Sequence, residues 1–157
     1  MNCNLNLQIS RHDHIKVADL GLAKFKDGIL GTVCGTMLYM APEVHEGKSY
    51  CTMADMYSFG LMMWEMWFGK RVFSELRYQN LSRDEFLRRI KEENYRPQTP
   101  RSRERLVPNP PPVQWTELMT SSWQTDPSLR KTAAECKDFV KKMKHLCAGI
   151  WSHQLQL

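Results

Sequence analysis

The sequence predicts a mainly α fold with one short β-hairpin near its start, and three observations carry that reading. Strand-like alternation of apolar and polar residues is confined to the first 18 positions, apolar residues recur at helical spacing from Thr52 onward, and Gly and Pro punctuate the stretches between. With 157 residues, 42% hydrophobic and 25% charged, the chain has room for one domain with a sizeable core and little room for two. A disordered tail and a disulfide-stapled miniprotein are both excluded.

Leu5, Leu7 and Ile9 alternate with polar residues, Ser10 to His14 read as a turn, and Ile15 and Val17 alternate again, which makes the hairpin. Gly21, Gly28, Gly31 and Gly35 interrupt any periodicity as far as Pro42, so residues 20–41 read as a long loop, and long loops in compact domains tend to be functional. Thr52 is placed to cap a helix with Asp55 at its third position and an apolar run to Phe68, ahead of Gly69. Being apolar nearly all round, that helix belongs in the core. Ser82-Arg83-Asp84-Glu85 forms a capping-box pattern before a surface helix, with Phe86, Leu87 and Ile90 on one face and Arg88, Arg89 and Lys91 on the other.

Six prolines between residues 97 and 112 rule out a helix there and give an extended connection packed on the surface. Trp115, Leu118, Met119 and Ser122 mark another short helix. Thr132-Ala133-Ala134-Glu135 is a second capping box, opening a last helix whose apolar stripe is Cys136, Phe139, Val140, Met143, Leu146 and Cys147. The methionines Met37, Met40, Met53, Met56, Met62, Met63 and Met66 are expected to fill gaps in the core.

Twenty-two Lys and Arg against 17 Asp and Glu leave a formal charge of +5, spread along the chain rather than packed into one block. Lys137, Lys141, Lys142, Lys144 and His145 form the polar face of the last helix and read as a solvated face, so no nucleic-acid partner is expected. The five cysteines are odd in number, scattered and without a C-x-x-C pair, which suits free thiols in a reducing, cytoplasmic compartment. Met1 to Ser10 lacks a basic start and is interrupted by four Asn and Gln residues, unlike a signal peptide. The most apolar run, Met56 to Phe68, is 13 residues long with Glu65 inside it, where a membrane span needs about 20, so no membrane span is expected.

Four ordered motifs carry a family resemblance. Ile15-Lys16-Val17-Ala18-Asp19-Leu20-Gly21 and Gly35-Thr36-Met37-Leu38-Tyr39-Met40-Ala41-Pro42-Glu43 resemble the D-F-G and A-P-E motifs that bracket a protein-kinase activation segment. Ala54-Asp55-Met56-Tyr57-Ser58-Phe59-Gly60 resembles the family's central-helix signature, and Trp123-Gln124-Thr125-Asp126-Pro127-Ser128-Leu129-Arg130 its late W-x-x-D-P-x-x-R. Trp64-Glu65 and Arg96-Pro97 resemble the tyrosine-kinase-like branch of Ser/Thr kinases, with dusty-type dual-specificity kinases as a relative. The resemblance implies a kinase-like C-terminal lobe: residues 1–147 form a partial kinase domain from the end of the catalytic loop onward, and residues 148–157 a tail. The N-terminal lobe has no counterpart in this sequence, which contains no glycine-rich phosphate loop, no strand Lys paired with a helix Glu and no H-R-D. Arg11-His12-Asp13 has the wrong order and lies only six residues before Asp19.

The resemblance also implies roles. Asp19 places a hard carboxylate on magnesium bridging the terminal phosphates of ATP, and Leu20 replaces the usual Phe with a smaller plug. Two residues compete for the second magnesium ligand: Asn4, preferred because Leu5 and Leu7 then follow on the strand, and Asn6, closer to Asp19; alternatively both are polar strand-edge residues. Thr36 matches the Thr of kinases acting on Ser and Thr, and Thr32 is a candidate regulatory phosphorylation site or an ordinary loop residue. Glu43 and Arg130 resemble a buried structural ion pair, and Asp55, without a catalytic loop to bond, is left to cap its own helix. His12-Asp13-His14 reads as a solvated turn.

Three functions follow as expectations: part of an active kinase phosphorylating protein Ser/Thr hydroxyls with ATP and Mg2+, a truncated pseudokinase that binds a protein partner, or a basic nucleic-acid-binding domain. The first is preferred, with no catalytic residue in this chain and no turnover by it alone. Leu7 and Leu20, at an uncovered edge, lead to an expectation of self-association.

Overall fold

The computed structural model describes residues 6–9, 15–18, 35–48, 51–74, 81–99 and 110–142. Strands β1 (Asn6–Ile9) and β2 (Ile15–Ala18) pair antiparallel, with Leu7 opposite Val17 and Ile9 opposite Ile15. The hairpin read from the alternation is therefore present, while its connecting residues 10–14 lie outside the described residues.

The remaining described elements are helical. The stretch read as loop up to residue 41 contains a 3-10 helix at Gly35–Tyr39, too short to leave a periodic signal in the sequence. Helix α1 (Pro42–His45) follows it directly. Pro42 occupies the first turn, where its missing N–H is no loss, and Ala41 before it is extended, as the pyrrolidine ring requires.

Helix α2 (Met53–Phe68) buries Ala54, Met56, Tyr57, Leu61, Met63 and Trp64. It ends where Gly69 turns left-handed at φ 62° and returns its N–H to the Glu65 carbonyl at 2.8 Å. Three expectations about it need correction. Neither Thr52 nor Asp55 caps it through a side chain: Thr52 is itself helical in backbone, and the first N–H groups reach back to the carbonyls of Cys51 and Thr52 instead. Asp55 sits in the first turn, where its negative charge complements the helix dipole. Nor is the helix buried all round, because Met66 is 65% exposed.

Helix α3 (Arg83–Lys91) begins as its capping pattern predicts, Ser82 Oγ accepting from the Glu85 N–H at 3.2 Å. The reciprocal half of the box is replaced: the Glu85 carboxylate accepts from Arg88 and Arg89, which hold it well below the ordinary carboxylate range. Phe86 and Ile90 are fully buried beneath it. Helix α4 (Val113–Ser122) buries Leu118, Met119 and Ser122. The last helix, α5, is described over residues 133–142 and opens with both halves of its capping box in place. Of its expected stripe Cys136 is buried and Phe139 packs on the core, but Val140 is 40% exposed; Met143, Leu146 and Cys147 lie outside the described residues.

The core sits between α2 and α4 and includes Phe73, Phe86, Ile90, Trp123 and Cys136. Trp64 Nε1 donates to the Gln98 carbonyl at 2.8 Å, drawing the irregular segment after α3 against α2. The approach of α2 to α4 depends on Gly60, since a Cβ there would lie 3.0 Å from the Met119 carbonyl oxygen and 3.1 Å from the Cβ atoms of Ser122 and Trp123. Gly60→Ala is accordingly expected to lower the unfolding free energy by about 1 to 3 kcal/mol in urea titration, because backbone must shift to admit the methyl. A midpoint equal to or above the unsubstituted protein's would show that α4 yields freely.

Candidate functional site

The most heavily bonded group among the described residues is Arg130, at the end of the short 3-10 turn Pro127–Leu129. Asp126 caps that turn, its Oδ1 accepting from the Ser128 N–H and hydroxyl at 2.8 Å. Pro127 fixes the backbone angle that turns the chain inward. Arg130 then enters the protein with a side chain 0% exposed. Its Nη1 donates to Glu43 Oε1 at 2.6 Å and to the Met53 carbonyl at 2.8 Å, and its Nη2 to Glu43 Oε2 at 2.8 Å and the Thr125 carbonyl at 3.1 Å. Nε donates to the Gln124 carbonyl at 2.7 Å, so all five guanidinium N–H groups are satisfied. One side chain thereby ties together α1, the start of α2 and the 124–130 segment.

A second guanidinium lies alongside. Arg96 donates from Nε to the Trp123 carbonyl at 2.9 Å, from Nη1 to the Ile90 and Tyr95 carbonyls, and from Nη2 to Thr125 Oγ1 at 2.7 Å. Both arginines stand 5.2 Å from the centre of the Tyr57 ring, whose electron-rich face offsets part of the cost of burying two cations. Burial pushes the Tyr57 hydroxyl up from its ordinary pKa, and among the described residues its oxygen has no hydrogen-bond partner. Burial likewise lowers that of Arg96.

Above this pair, the Gly35–Tyr39 turn is held at three points. Ser58 on α2 donates its hydroxyl to the Tyr39 carbonyl at 2.7 Å. The Tyr39 hydroxyl donates to Glu65 Oε1 at 2.6 Å, an oxygen that also accepts from the Val72 N–H at 2.8 Å; burial and this carboxylate push the phenol up to about 12. Finally His45, 3% exposed in α1, reaches the Met37 carbonyl through Nε2 at 3.0 Å. A cleft of about 430 Å³ opens beside Glu43, where Glu46 pairs with both Lys48 and Lys91. The two lysines are exposed and share one half-buried carboxylate, and such pairs contribute little to stability.

Of the residues nominated from sequence, the structure brings Glu43 and Arg130 together. It places Asp55 in the first turn of α2 and Thr36 within the 3-10 turn, beside Met37. Asn4, Asp19 and Thr32 lie outside the described residues; Asn6, the alternative to Asn4, opens β1 opposite Ala18. Among the described residues no group of three His, Cys, Asp or Glu side chains is placed to hold a metal, and no helix is long and apolar enough to cross a membrane. Sequence reasoning missed His45, Tyr57 and Glu65 as site residues and saw Arg96 only beside Pro97. Arg96 had a signal, a cation where the chain must be extended; His45 had none.

Comparison with known proteins completes the picture. The family model described as the protein kinase domain matches residues 4–141. The chain is 31% identical over 140 residues to serine/threonine-protein kinase STY17 of Arabidopsis thaliana, covering 88% of this chain and 22% of that one. It is 33% identical over 130 residues to a dual serine/threonine and tyrosine protein kinase of Strongylocentrotus purpuratus, covering 83% of this chain and 13% of that protein. A shorter match, 41% over 71 residues, joins it to the mouse protein kinase C delta type, covering 43% and 10% respectively. The chain thus spans less than a quarter of the length of the curated relatives it matches.

Proposed function

The chain belongs to the protein kinase domain family, and from that premise we propose that it is the helical part of a phosphoryl-transfer domain whose whole carries the terminal phosphoryl group of ATP to protein Ser and Thr hydroxyls. The observation that supports this best is the Glu43–Arg130 pair. It joins the end of the 35–43 segment to the 124–130 segment, an arrangement suited to holding a substrate-facing loop on a rigid helical base. Thr36 in that segment favours hydroxyl substrates of the Ser and Thr kind.

Magnesium and ATP belong to the same proposal. Asp19 and Asn4 offer a carboxylate and an amide carbonyl, hard oxygen donors of the kind Mg2+ prefers, and they are the residues that would hold the metal. Bound there, the ion would neutralise charge on the phosphates. This chain's own described residues do the rest of what we assign to it: they fix the turn bearing Thr36 and keep its anchoring charges dry.

The 157 residues alone are expected not to turn over, since they contain no H-R-D aspartate, glycine-rich loop or strand lysine. With magnesium, labelled ATP and generic acceptor proteins, incorporation should stay at the level of an Asp19→Asn control. Robust turnover by the unaltered chain would overturn that part of the reading. In a longer polypeptide supplying those elements ahead of residue 4, Asp19→Asn is expected to cut transfer by about a thousandfold. Transfer undiminished by that change would refute the assignment of Asp19.

A further inference from the structure

We infer that His45 is a positioning residue for the Gly35–Tyr39 turn, in which the Nε2–H of its neutral imidazole fixes the Met37 carbonyl next to Thr36. The inference rests on reading residues 35–43 as the end of an activation segment. A carbonyl oxygen only accepts, so the contact of His45 Nε2 with Met37 O at 3.0 Å puts the single proton of the neutral ring on Nε2. The same carbonyl accepts from the Met40 N–H at 3.2 Å, so two donors converge on it and close the turn.

The other ring nitrogen explains why the ring stays neutral. Nδ1 is buried and has no partner among the described residues, tolerable for a weak acceptor but costly for the N–H that protonation would create. Among the described neighbours, none offers Nδ1 an acceptor. Phe86 of α3 presents its ring at 6.0 Å in an edge arrangement, and Arg83 of α3 brings a positive guanidinium to the His45 carbonyl. Glu43 on α1 has both oxygens committed to Arg130, and Tyr39 in the turn has its hydroxyl on Glu65. Burial accordingly holds His45 down at about 4.

The test uses the full chain and needs no nucleotide, so it can fail while the kinase reading stands, and the reverse. His45→Gln restores an Nε2 donor of similar reach, whereas His45→Leu keeps apolar bulk without one. At pH 7, amide exchange at Leu38 to Met40 is expected to quicken by about fivefold to tenfold in the Leu variant and to stay within about twofold in the Gln variant. Equal exchange in all three proteins would overturn the inference. Should the variants fail to fold, the imidazole nitrogen spectrum of the unsubstituted chain decides: a protonated Nε2 with a pyridine-type Nδ1 supports it, and the opposite tautomer refutes it.

Discussion

Replacing Arg130 by Ala is expected to lower the unfolding free energy by about 3 to 5 kcal/mol, the largest single effect the structure implies. The reason is the company it keeps. Removing the guanidinium strands the Glu43 carboxylate, 12% exposed, without its two charge-assisted bonds, and leaves the carbonyls of Met53, Gln124 and Thr125 short of a donor. Glu43→Ala should cost a similar amount by leaving the cation unpaired. The double substitution should cost clearly less than the sum, because once either partner is gone the other is already a liability. Arg130→Lys is expected to recover little, since one ammonium cannot fork onto both carboxylate oxygens and also reach the flanking carbonyls. Urea titrations of the four variants measure this; small, additive losses would show that the pair contributes no coupling.

Acid is expected to weaken the fold at a pH set by His45. Desolvation is the main cause of its lowered pKa, with the nearby Arg83 charge adding to it and the Met37 carbonyl and Glu43 opposing. The folded state refuses a proton until about pH 4, while the unfolded chain accepts one near 6.5. Between those values the unfolded state binds more protons, so stability falls as pH falls, by about 3 kcal/mol at the lower limit. Glu46, Glu85 and Glu135 are held below their ordinary 4.5 by their partners, so their contributions are present above that value and fade only beneath it. Among the described residues, the range from 6.5 to 4.5 therefore isolates His45. His45→Leu should flatten the stability profile across it, and a slope unchanged by that substitution would assign the effect elsewhere.

Local chemistry made much of the fold legible. The capping pattern before residue 133 gives the helix start the structure shows, because a reciprocal box needs only residues three apart. Gly69 ends α2 and Pro42 starts α1 for equally local reasons of backbone angle. Where a second nearby partner competes, a single local pattern misleads. Glu85 abandons its half of the α3 box for Arg88 and Arg89, and the start of α2 dispenses with the Thr52 side chain because backbone carbonyls suffice. Met66 and Val140 are apolar at positions the packing leaves in water.

What the sequence determined by itself, then, is the hairpin, the signals of the longer helices and the four motifs that mark the kinase family, since each depends on residues near one another along the chain. The Glu43–Arg130 pair is expected from its motif positions, but the tertiary structure alone decided the other partners of the buried cations and of His45. Arg130 reaches the Met53 carbonyl across 77 positions, Arg96 finds Trp123 and Thr125, and His45 turns a neutral face to Met37 in a pocket closed by Phe86. Those outcomes depend on burial, which no short stretch of sequence encodes: an arginine becomes an anchor, and a histidine is held neutral, only when the surrounding helices have removed the water that would otherwise compete.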